Sequence, residues 1–275
     1  MPELPETETI ARDLDRELRG RTIVSVVVRK DDVLREVSAK ALAARVTGAS
    51  IERCWRRAKM VVIDLSTDDH IVVQPRFTGA LLLSMGPLPE REALYSTLHF
   101  SLDDGRDLHY RDIRRLGTLA LMSDARFQEY IKALGVEPLD PAFTVAHLSV
   151  LLRGSRQAVK KLLMDQRMVV GIGNIYANEA CWRAGVDPSR AAHDVGDAEV
   201  AALHDGITSV LRDSIAARGT SFRDYRDASG GKGDFERSLA AYGRGGEPCL
   251  RCGARLIETH AIDGRTTVLC AHCQK

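Results

Sequence analysis

The sequence lacks a long apolar segment and lacks an excess of charge of one sign. No apolar run approaches the roughly 18 residues of a membrane-spanning helix, so we expect no membrane partner. The 275 residues include 39 Lys and Arg against 38 Asp and Glu, a formal net charge of +1. This balance excludes a strongly basic chain, the simplest sign of nucleic-acid binding. Any contact with nucleic acid must therefore depend on locally placed residues.

Targeting peptides, internal repeats, low-complexity segments and coiled-coil heptads are also missing. The opening MPELPETETIARDLDREL is acidic and polar, unlike a secretory signal or an Arg-rich transit peptide. We therefore expect a cytoplasmic protein. Hydrophobic residues make up 44% and charged residues 28%, which is typical of a globular chain. The length predicts two domains with room for a small third module.

The first half of the chain has the pattern of a β domain. A helix is predicted over 7–19, with Ile10, Leu14 and Leu18 on one face and Gly20 at its end. Short β-branched or alternating runs follow, separated by turn signals. These runs predict an antiparallel sandwich or barrel within about 1–122. The predicted strands are 22–28, 60–65, 70–74, 79–84, 97–102 and 117–122.

After Asp124 the apolar spacing changes to three or four residues, which predicts helices. The residues 220–234 are polar and rich in glycine, and we expect a loop there. A cysteine-rich module closes the chain from about residue 243. The predicted helices are 124–135, 143–154, 155–166, 174–185 and 197–219.

Four of the six cysteines form two C-x-x-C pairs that are separated by 17 residues. Four thiolates at this spacing suit a tetrahedral zinc ion, and disulfides are rare in the cytosol. The alternative is two redox pairs or chance spacing. Cys54 and Cys181 lie far away, and we interpret them as small buried side chains. The predicted zinc ligands are Cys249, Cys252, Cys270 and Cys273.

The amino terminus can place a reactive amine beside carboxylates. Pro2 normally permits removal of Met1, which leaves a secondary α-amino group that titrates at about pH 8. Such an amine can attack an electrophilic sugar carbon and form an iminium, with Glu3 and Glu6 as acid and base. Taken alone, the segment is more typical of an ordinary helix start, where glutamates favour the helix dipole.

Two further patterns can bind phosphate. Glycines in GIGNIY (171–176) allow a tight turn, and the N–H groups that open the next helix can hold an anion. Basic clusters occur at 53–59 and 111–115, where arginines can contact a DNA backbone. The alternatives are a helical hairpin that needs glycine for packing and exposed strand ends. The pair Lys160 and Lys161 is equally typical of a solvated helix face.

Five motifs in order resemble those of the formamidopyrimidine-DNA glycosylase/endonuclease VIII family of base-excision repair enzymes, over essentially the whole chain. Leu4 resembles the formamidopyrimidine branch rather than the endonuclease VIII branch. The motifs are PELPETET at the start, WRRAK (55–59), RDIRRLG (111–117), LLMDQRMVVGIGNIYANEA (162–180) and the cysteine-rich tail from Tyr242.

The resemblance implies a catalytic role for four residues. Pro2 would attack the deoxyribose anomeric carbon, displace the damaged base and form the iminium. Glu3 would act as general acid and base, and Glu6 would support the site. Lys59 would bind phosphate near the lesion. Successive β and δ eliminations would then cut the strand.

The resemblance also implies DNA contacts, with some departures from the family pattern. Asn174, Lys160 and Arg265 would bind the phosphates that flank the flipped nucleotide, and the loop 220–234 would cover the lesion. Phe77 replaces the family's intercalating Met, and Leu116 replaces its wedge Phe, whereas Arg114 retains the arginine of that wedge. Arg76 stands where the family has Gly, with no evident purpose. We expect these apolar side chains still to fill the gap that the flipped nucleotide leaves. The preference for the opposite base follows less directly from the family pattern.

These observations predict an α+β multidomain protein. The predicted domains are an amino-terminal antiparallel β-sandwich with a helix (1–123), a helix–two-turn–helix domain (124–242) and a zinc finger (243–275). We expect a bacterial, nucleoid-associated monomer that excises formamidopyrimidines and 8-oxoguanine from duplex DNA with one structural zinc and no nucleotide cofactor. The alternatives are an enzyme for oxidised pyrimidines, as in the endonuclease VIII branch, and a non-catalytic damaged-DNA-binding protein.

Overall fold

The computed structural model describes residues 2–221 and 225–275. Met1 and three residues of the predicted loop, 222–224, lie outside the described residues. The chain divides into two compact units: Met1–Lys132 with Ala217–Glu236, and Ala133–Ala216 with Arg237–Lys275. The segment around the predicted loop thus belongs to the same unit as the amino terminus.

The first unit contains two β-sheets, and its first helix is α1 (Leu4–Leu18). The strands of the four-stranded sheet are in the order β1-β7-β8-β6, and those of the five-stranded sheet are in the order β2-β9-β5-β4-β3. The strands are β1 (Ile23–Val28), β2 (Leu34–Arg35), β3 (Ile51–Arg57), β4 (Met60–Leu65), β5 (Asp69–Gln74), β6 (Gly79–Met85), β7 (Ser96–Leu102), β8 (Arg106–Asp112) and β9 (Thr118–Ser123).

One apolar core fills the space between these two sheets. Phe100 and Leu108, a cross-strand pair of β7 and β8, contribute from the first sheet, and Ile71 and Leu121, a pair of β5 and β9, contribute from the second. The predicted apolar face of α1 is fully buried in the same core. The predicted sandwich with an amino-terminal helix is therefore confirmed.

Three details of this unit differ from the prediction. The basic segments at 53–59 and 111–115 overlap two strands that were not predicted, β3 as far as Arg57 and β8 as far as Asp112. The helix α2 (Ala39–Val46), which Ser38 caps by accepting the N–H of Ala41, was not predicted. The short β2 pairs with β9 in parallel, so the second sheet is not wholly antiparallel.

Two short helices complete this unit, and helices form most of the second unit. The predicted helix 155–166 begins only at Val159, because Ala158 pairs with Ala191 in a β-bridge. Helix α7 ends at Gly185, whose φ of 71° is the left-handed conformation that glycine adopts easily. The helices are α3 (Glu90–Ala93), α4 (Asp124–Lys132), α5 (Val145–Arg153), α6 (Val159–Met164), α7 (Asn174–Ala184) and α8 (Asp197–Ala216).

The chain ends in a small hairpin of β10 (Ile257–Thr259) and β11 (Thr267–Leu269). Leu256, Val268 and two cysteines form a separate apolar cluster beside it. Among the described residues, none of the helices has both the length and the apolar character that crossing a membrane requires.

Candidate functional site

The amino terminus is held by the first turn of α1. Pro2, Glu3 and Glu6 are all buried. Glu6 Oε2 accepts the backbone N–H of Glu3 at 2.8 Å, as in the capping box that stabilises many helix starts. Glu6 Oε1 accepts the backbone N–H of Thr220 at 2.7 Å. The structure therefore places the three predicted residues together, next to the segment that contains the predicted loop.

Lys59 lies in the turn between β3 and β4 and is half-buried. The neighbouring Arg56 donates to Glu8 of α1 at 2.8 Å and to Ala58 O at 3.0 Å. Arg56 is itself almost fully buried, and its guanidinium lowers the pKa of Glu8 against the opposing effect of burial. This ion pair fixes the turn of Lys59 to the helix that carries Glu3 and Glu6.

Two neighbouring loops present the predicted wedge. The Arg114 guanidinium lies 5.1 Å from the centroid of the Phe77 ring, within the range of a cation–π contact. Phe77 is 45% exposed and Leu116 is 42% exposed. Exposed apolar side chains beside an arginine are suited to entering a duplex.

Asp112 joins these two loops. Its carboxylate accepts the hydroxyl hydrogen of Thr78, the N–H of Arg114 at 3.2 Å and the N–H of Gly117 at 2.8 Å. The sequence pattern contained Asp112 within RDIRR, but charge alone did not distinguish it from its neighbours. Its position between two arginines and before Gly117 is the signal that could have identified it.

Arg76 occupies a left-handed backbone conformation with φ of 52°. Gly79 N–H donates to Pro75 O at 3.0 Å and closes this turn. The resemblance implies Gly at position 76, and the observed φ explains why glycine suits it. Nothing in the structure explains the arginine side chain.

Asn174 is the first residue of α7, after the two-glycine turn. Its Oδ1 is buried and has no hydrogen-bond partner among the described residues. A buried polar atom of this kind is often satisfied by a ligand or water. Asn178 donates to Asn174 O at 2.6 Å and accepts the N–H of Val268 at 2.8 Å. Asn178, which sequence reasoning missed, therefore connects this helix start to the carboxy-terminal hairpin.

Lys160 is placed differently from the prediction of a direct phosphate contact. Its side chain is fully buried, and Nζ donates to Thr266 O at 2.7 Å and to Thr267 Oγ1 at 2.8 Å. These two hydrogen bonds hold the ammonium group beside the carboxy-terminal hairpin. In the observed conformation Lys160 instead positions the strand that follows Arg265.

Arg265 is exposed at the turn of the carboxy-terminal hairpin and faces an open cleft of about 410 Å³. Lys161 is paired with Asp263 at 3.2 Å, and Arg167 is paired with Asp165 at 2.7 Å. Arg265 has no ion pair with any described residue, so its charge is available to an anion. The cleft is lined by Gln157, Lys161, Met164, Asp165, Arg167, Asp263 and Arg265.

The four predicted zinc ligands form one cluster. Their sulfur atoms all lie within 4.8 Å of one another. Four thiolates about 2.3 Å from one ion stand about 3.8 Å apart, so the cluster fits a tetrahedral zinc site. Cys54 and Cys181 are buried elsewhere, and burial raises the pKa of each thiol.

Family models match nearly the whole chain. The formamidopyrimidine-DNA glycosylase N-terminal domain matches residues 1–119, the H2TH domain of the same enzymes matches 134–226, and a zinc finger found in FPG and IleRS matches 246–275. The chain belongs to the formamidopyrimidine-DNA glycosylase family. Together with the sulfur cluster, the match identifies a zinc-finger module that holds one structural zinc.

Curated members of this family are similar over their full length. The formamidopyrimidine-DNA glycosylase of Desulfitobacterium hafniense is 39% identical over 277 residues, and that of Xanthomonas campestris is 41% identical over 276 residues. Each alignment covers 100% of both chains.

Solved structures of the family have the same fold. A complex of Lactococcus lactis Fpg with DNA that contains N7-benzyl-Fapy-dG superimposes with a TM-score of 0.92 at 30% identity, and covers 100% of both chains. The Thermus thermophilus MutM (FPG) protein gives a TM-score of 0.87 at 33% identity, and covers 99% of this chain and 98% of its own. The predicted α+β fold is thereby confirmed.

Proposed function

We propose that this protein is a bifunctional DNA glycosylase and abasic-site lyase that removes oxidised bases from duplex DNA. The observation that carries the proposal is the joint placement of Pro2, Glu3 and Glu6 at the buried start of α1 in a member of this family. Removal of Met1 leaves Pro2 with a secondary amine, the group that the reaction needs.

In the proposed reaction the Pro2 nitrogen forms a bond to C1′ of the damaged nucleotide, and the bond from C1′ to the base breaks as the base leaves with a proton. Glu3 protonates the ring oxygen, which opens the sugar and leaves an iminium on the proline. Loss of a C2′ proton then expels the 3′ phosphate, and loss of a C4′ proton expels the 5′ phosphate. Both strand breaks therefore follow from one covalent intermediate.

The remaining residues serve DNA binding in this proposal. A base inside a duplex is unreachable, so it must be flipped out, and contacts to the backbone offset the cost of unstacking. Lys59, Asn174 and Arg265 bind phosphates, and Lys160 fixes the hairpin of Arg265. Phe77, Arg114 and Leu116 fill the gap, and the loop 220–234 covers the extruded base. We also propose that the protein acts as a cytoplasmic monomer.

The proposed substrates are oxidised purines, namely formamidopyrimidines and 8-oxoguanine. Leu4 supports this choice, and so does the Lactococcus lactis complex with a Fapy-dG lesion. The same Lactococcus protein also has a structure with DNA that contains an oxidised pyrimidine. Excision of 8-oxoguanine is therefore to be compared with excision of thymine glycol and dihydrouracil from matched duplexes. Preference for the pyrimidine lesions would exclude oxidised purines as the main substrates, but it would not count against the glycosylase and lyase chemistry.

Borohydride trapping on abasic duplex DNA tests the chemistry directly. We expect a covalent adduct with protein that has lost Met1, and none with Pro2→Gly or with protein that retains Met1. Mass analysis of the amino terminus accompanies each sample. Binding without a trapped adduct, unchanged in Pro2→Gly, would show a non-catalytic damaged-DNA-binding protein.

A further inference from the structure

The described parts of the segment 217–236, residues 217–221 and 225–236, are attached to helix α1, although Asp13 and Arg218 are 205 residues apart in the chain. Thr220 donates its N–H to Glu6 Oε1 at 2.7 Å, and the Tyr225 hydroxyl donates to Glu6 O at 3.4 Å. Tyr225 and Ala228 are buried in the core of the first unit. Glu6 also accepts the N–H of Glu3, so the attachment lies directly beside the amino terminus.

Arg218 lies between two buried carboxylates at the start of this segment. Its Nη2 donates to Asp13 Oδ2 at 2.5 Å and to Asp227 Oδ2 at 2.6 Å. The side chains of Asp13 and Asp227 are only 3% and 6% exposed, whereas that of Arg218 is 45% exposed. Hydrogen bonds to Asp13 and then Asp227 raise the pKa of Arg218. One guanidinium thus joins α1 to two points of the segment.

Asp227 uses its other oxygen to shape the segment. Oδ1 accepts the N–H of Ser229 at 3.0 Å and the N–H of Gly231 at 2.7 Å. Gly230 N–H donates back to Asp227 O at 3.0 Å. The carboxylate therefore closes the turn at 227–231 and, through Arg218, ties that turn to α1.

The backbone of Arg218 adopts a conformation that is unfavourable for a residue with a side chain. Its φ is 61°, a left-handed conformation that costs a residue with a side chain about 1 kcal/mol and costs glycine almost nothing. Buried carboxylates need cationic partners, and Arg16, another cation near Asp13, is 3.4 Å away and 64% exposed. The charge requirement of Asp13 and Asp227 explains an arginine at a position where the backbone favours glycine.

We propose that Arg218 is a positioning residue for base excision, which holds the start of this segment and its turn at 227–231 against α1 through Asp13 and Asp227. The inference rests on the proposed function, in which this segment covers the extruded base. A substrate with a base has a group for the segment to contact, whereas an abasic site has none. Arg218 therefore affects excision of a base more than cleavage at an abasic site.

Two substitutions separate the guanidinium from the backbone. Arg218→Gly removes the side chain and retains a residue that adopts positive φ easily. Arg218→Lys retains the charge but loses the two-sided fork of hydrogen-bond donors. Arg126 supplies the matched control, because it also bridges two carboxylates in the first unit, Glu36 and Glu129, and is 39% exposed. Its control variant is Arg126→Lys.

Single-turnover rates on two duplexes measure the effect. One duplex contains 8-oxoguanine and reports base excision, and the other contains an abasic site and reports strand cleavage. We expect Arg218→Gly to lower the ratio of excision to cleavage at least tenfold, Arg218→Lys to give an intermediate ratio, and Arg126→Lys to retain the wild-type ratio. A ratio within twofold of wild type in Arg218→Gly, including an equal fall in both rates, would overturn the inference.

A double variant tests the bridge itself. Once Arg218 is replaced by Gly, Asp227→Asn should lower the excision rate by much less than it does in the wild-type background, because contacting residues are not additive. Full additivity would mean that the two residues act separately, which contradicts the proposed bridge.

Amide hydrogen exchange gives a readout that does not depend on activity. We expect amides within 225–236 to exchange at least tenfold faster in Arg218→Gly than in wild type, with no change in Arg126→Lys. Unchanged exchange in Arg218→Gly would overturn the inference even if excision fell. Absence of a trapped adduct with wild-type protein would instead count against the proposed function, and the exchange result would still decide whether Arg218 holds the segment.

Discussion

Glu6 connects the amino terminus to Thr220 of the segment 217–236. Both of its carboxylate oxygens accept backbone N–H groups, one from Glu3 and one from Thr220. Gly219 adjoins it closely, since a Cβ there would stand 3.0 Å from Glu6 Oε1, and its φ is 89°. Because each oxygen of this buried carboxylate accepts one N–H group, a side chain with fewer acceptor atoms would leave a donor unsatisfied.

Replacing Glu6 by Gln should therefore be costly. An amide can offer only one oxygen, so its NH₂ group must face one of the two N–H donors. We expect the free energy of unfolding of the first unit to fall by about 1–3 kcal/mol, and borohydride trapping to fall at least tenfold. Urea denaturation and trapping on abasic DNA measure the two effects.

Glu17→Gln is the matched control on the same helix, because the Glu17 side chain is 41% exposed and pairs with Arg16 and Arg106. A Glu6→Gln protein that is as stable and as active as Glu17→Gln would show that Glu6 does not hold the amino terminus.

At the scale of secondary-structure elements, the first sheet carries a pair of histidines, of which His109 is buried and His99 is half-buried. His99 of β7 lies opposite His109 of β8, and the ring centroids are 5.1 Å apart. Ser96 Oγ is 3.1 Å from His109 Nδ1, while His109 Nε2 has no partner among the described residues. Burial first, and then the proximity of His99, lowers the pKa of His109 to about 4.

This lowered pKa predicts that acid weakens the β7–β8 pairing. Between about pH 6.5 and 4 the unfolded state binds a proton at His109 that the folded state does not, so stability is lost as pH falls through this range. Relative to His109→Asn, wild type should lose roughly 1–2 kcal/mol by pH 5. Amide exchange in β7 and β8, compared between the two proteins at each pH, measures the difference.

His147→Asn serves as the control, because His147 is exposed and lies in the second unit. Parallel loss of protection in wild type and His109→Asn would show that another group causes the acid sensitivity.

For the whole molecule, the net charge of +1 does not show which arginines are paired with carboxylates and which are not. Many arginines are paired with carboxylates, for example Arg45 with Asp69 and Arg190 with Glu199. In the part of the chain that the structure describes, Arg114 and Arg265 form no such pairs. The net charge is near neutral because acidic and basic residues are almost equal in number. Many of them pair with one another, and a few cations remain for phosphate.

Zinc removal should disrupt the carboxy-terminal module within the second unit. Trp182 packs against the apolar cluster of this module, and the Arg251 guanidinium lies 4.6 Å from its ring centroid. Binding of a structural zinc is coupled to folding, so a chelator should shift Trp182 fluorescence to the red and lower the affinity for DNA at least tenfold. Metal analysis should find one zinc per chain.

The only other tryptophan, Trp55, belongs to the first unit and reports on it separately. In Trp182→Phe the chelator-induced shift should vanish while the Trp55 emission stays constant. Active protein that contains no zinc would contradict the assignment.

Features that depend only on neighbouring residues could be predicted from the sequence alone. The apolar period of α1, the order of the β-rich and helical halves and the C-x-x-C pairs all carry their information within a few residues, and the structure confirms the fold and the cysteine cluster. The strands β3 and β8 were missed because their charged residues do not give the β-branched or alternating pattern by which the other strands were predicted.

Contacts between residues that are far apart in the chain became visible only in the tertiary structure. Asp13 and Arg218 are 205 residues apart in the chain, and no local pattern distinguishes this pair from other charged residues. Lys160 looked like a surface lysine until the hairpin covered it and supplied two oxygen acceptors. Burial changes what a charged side chain can do, because a desolvated charge must be satisfied by whatever the fold places beside it. Sequence patterns predicted the reactive groups, and the packing of distant segments determined which residues lie beside them.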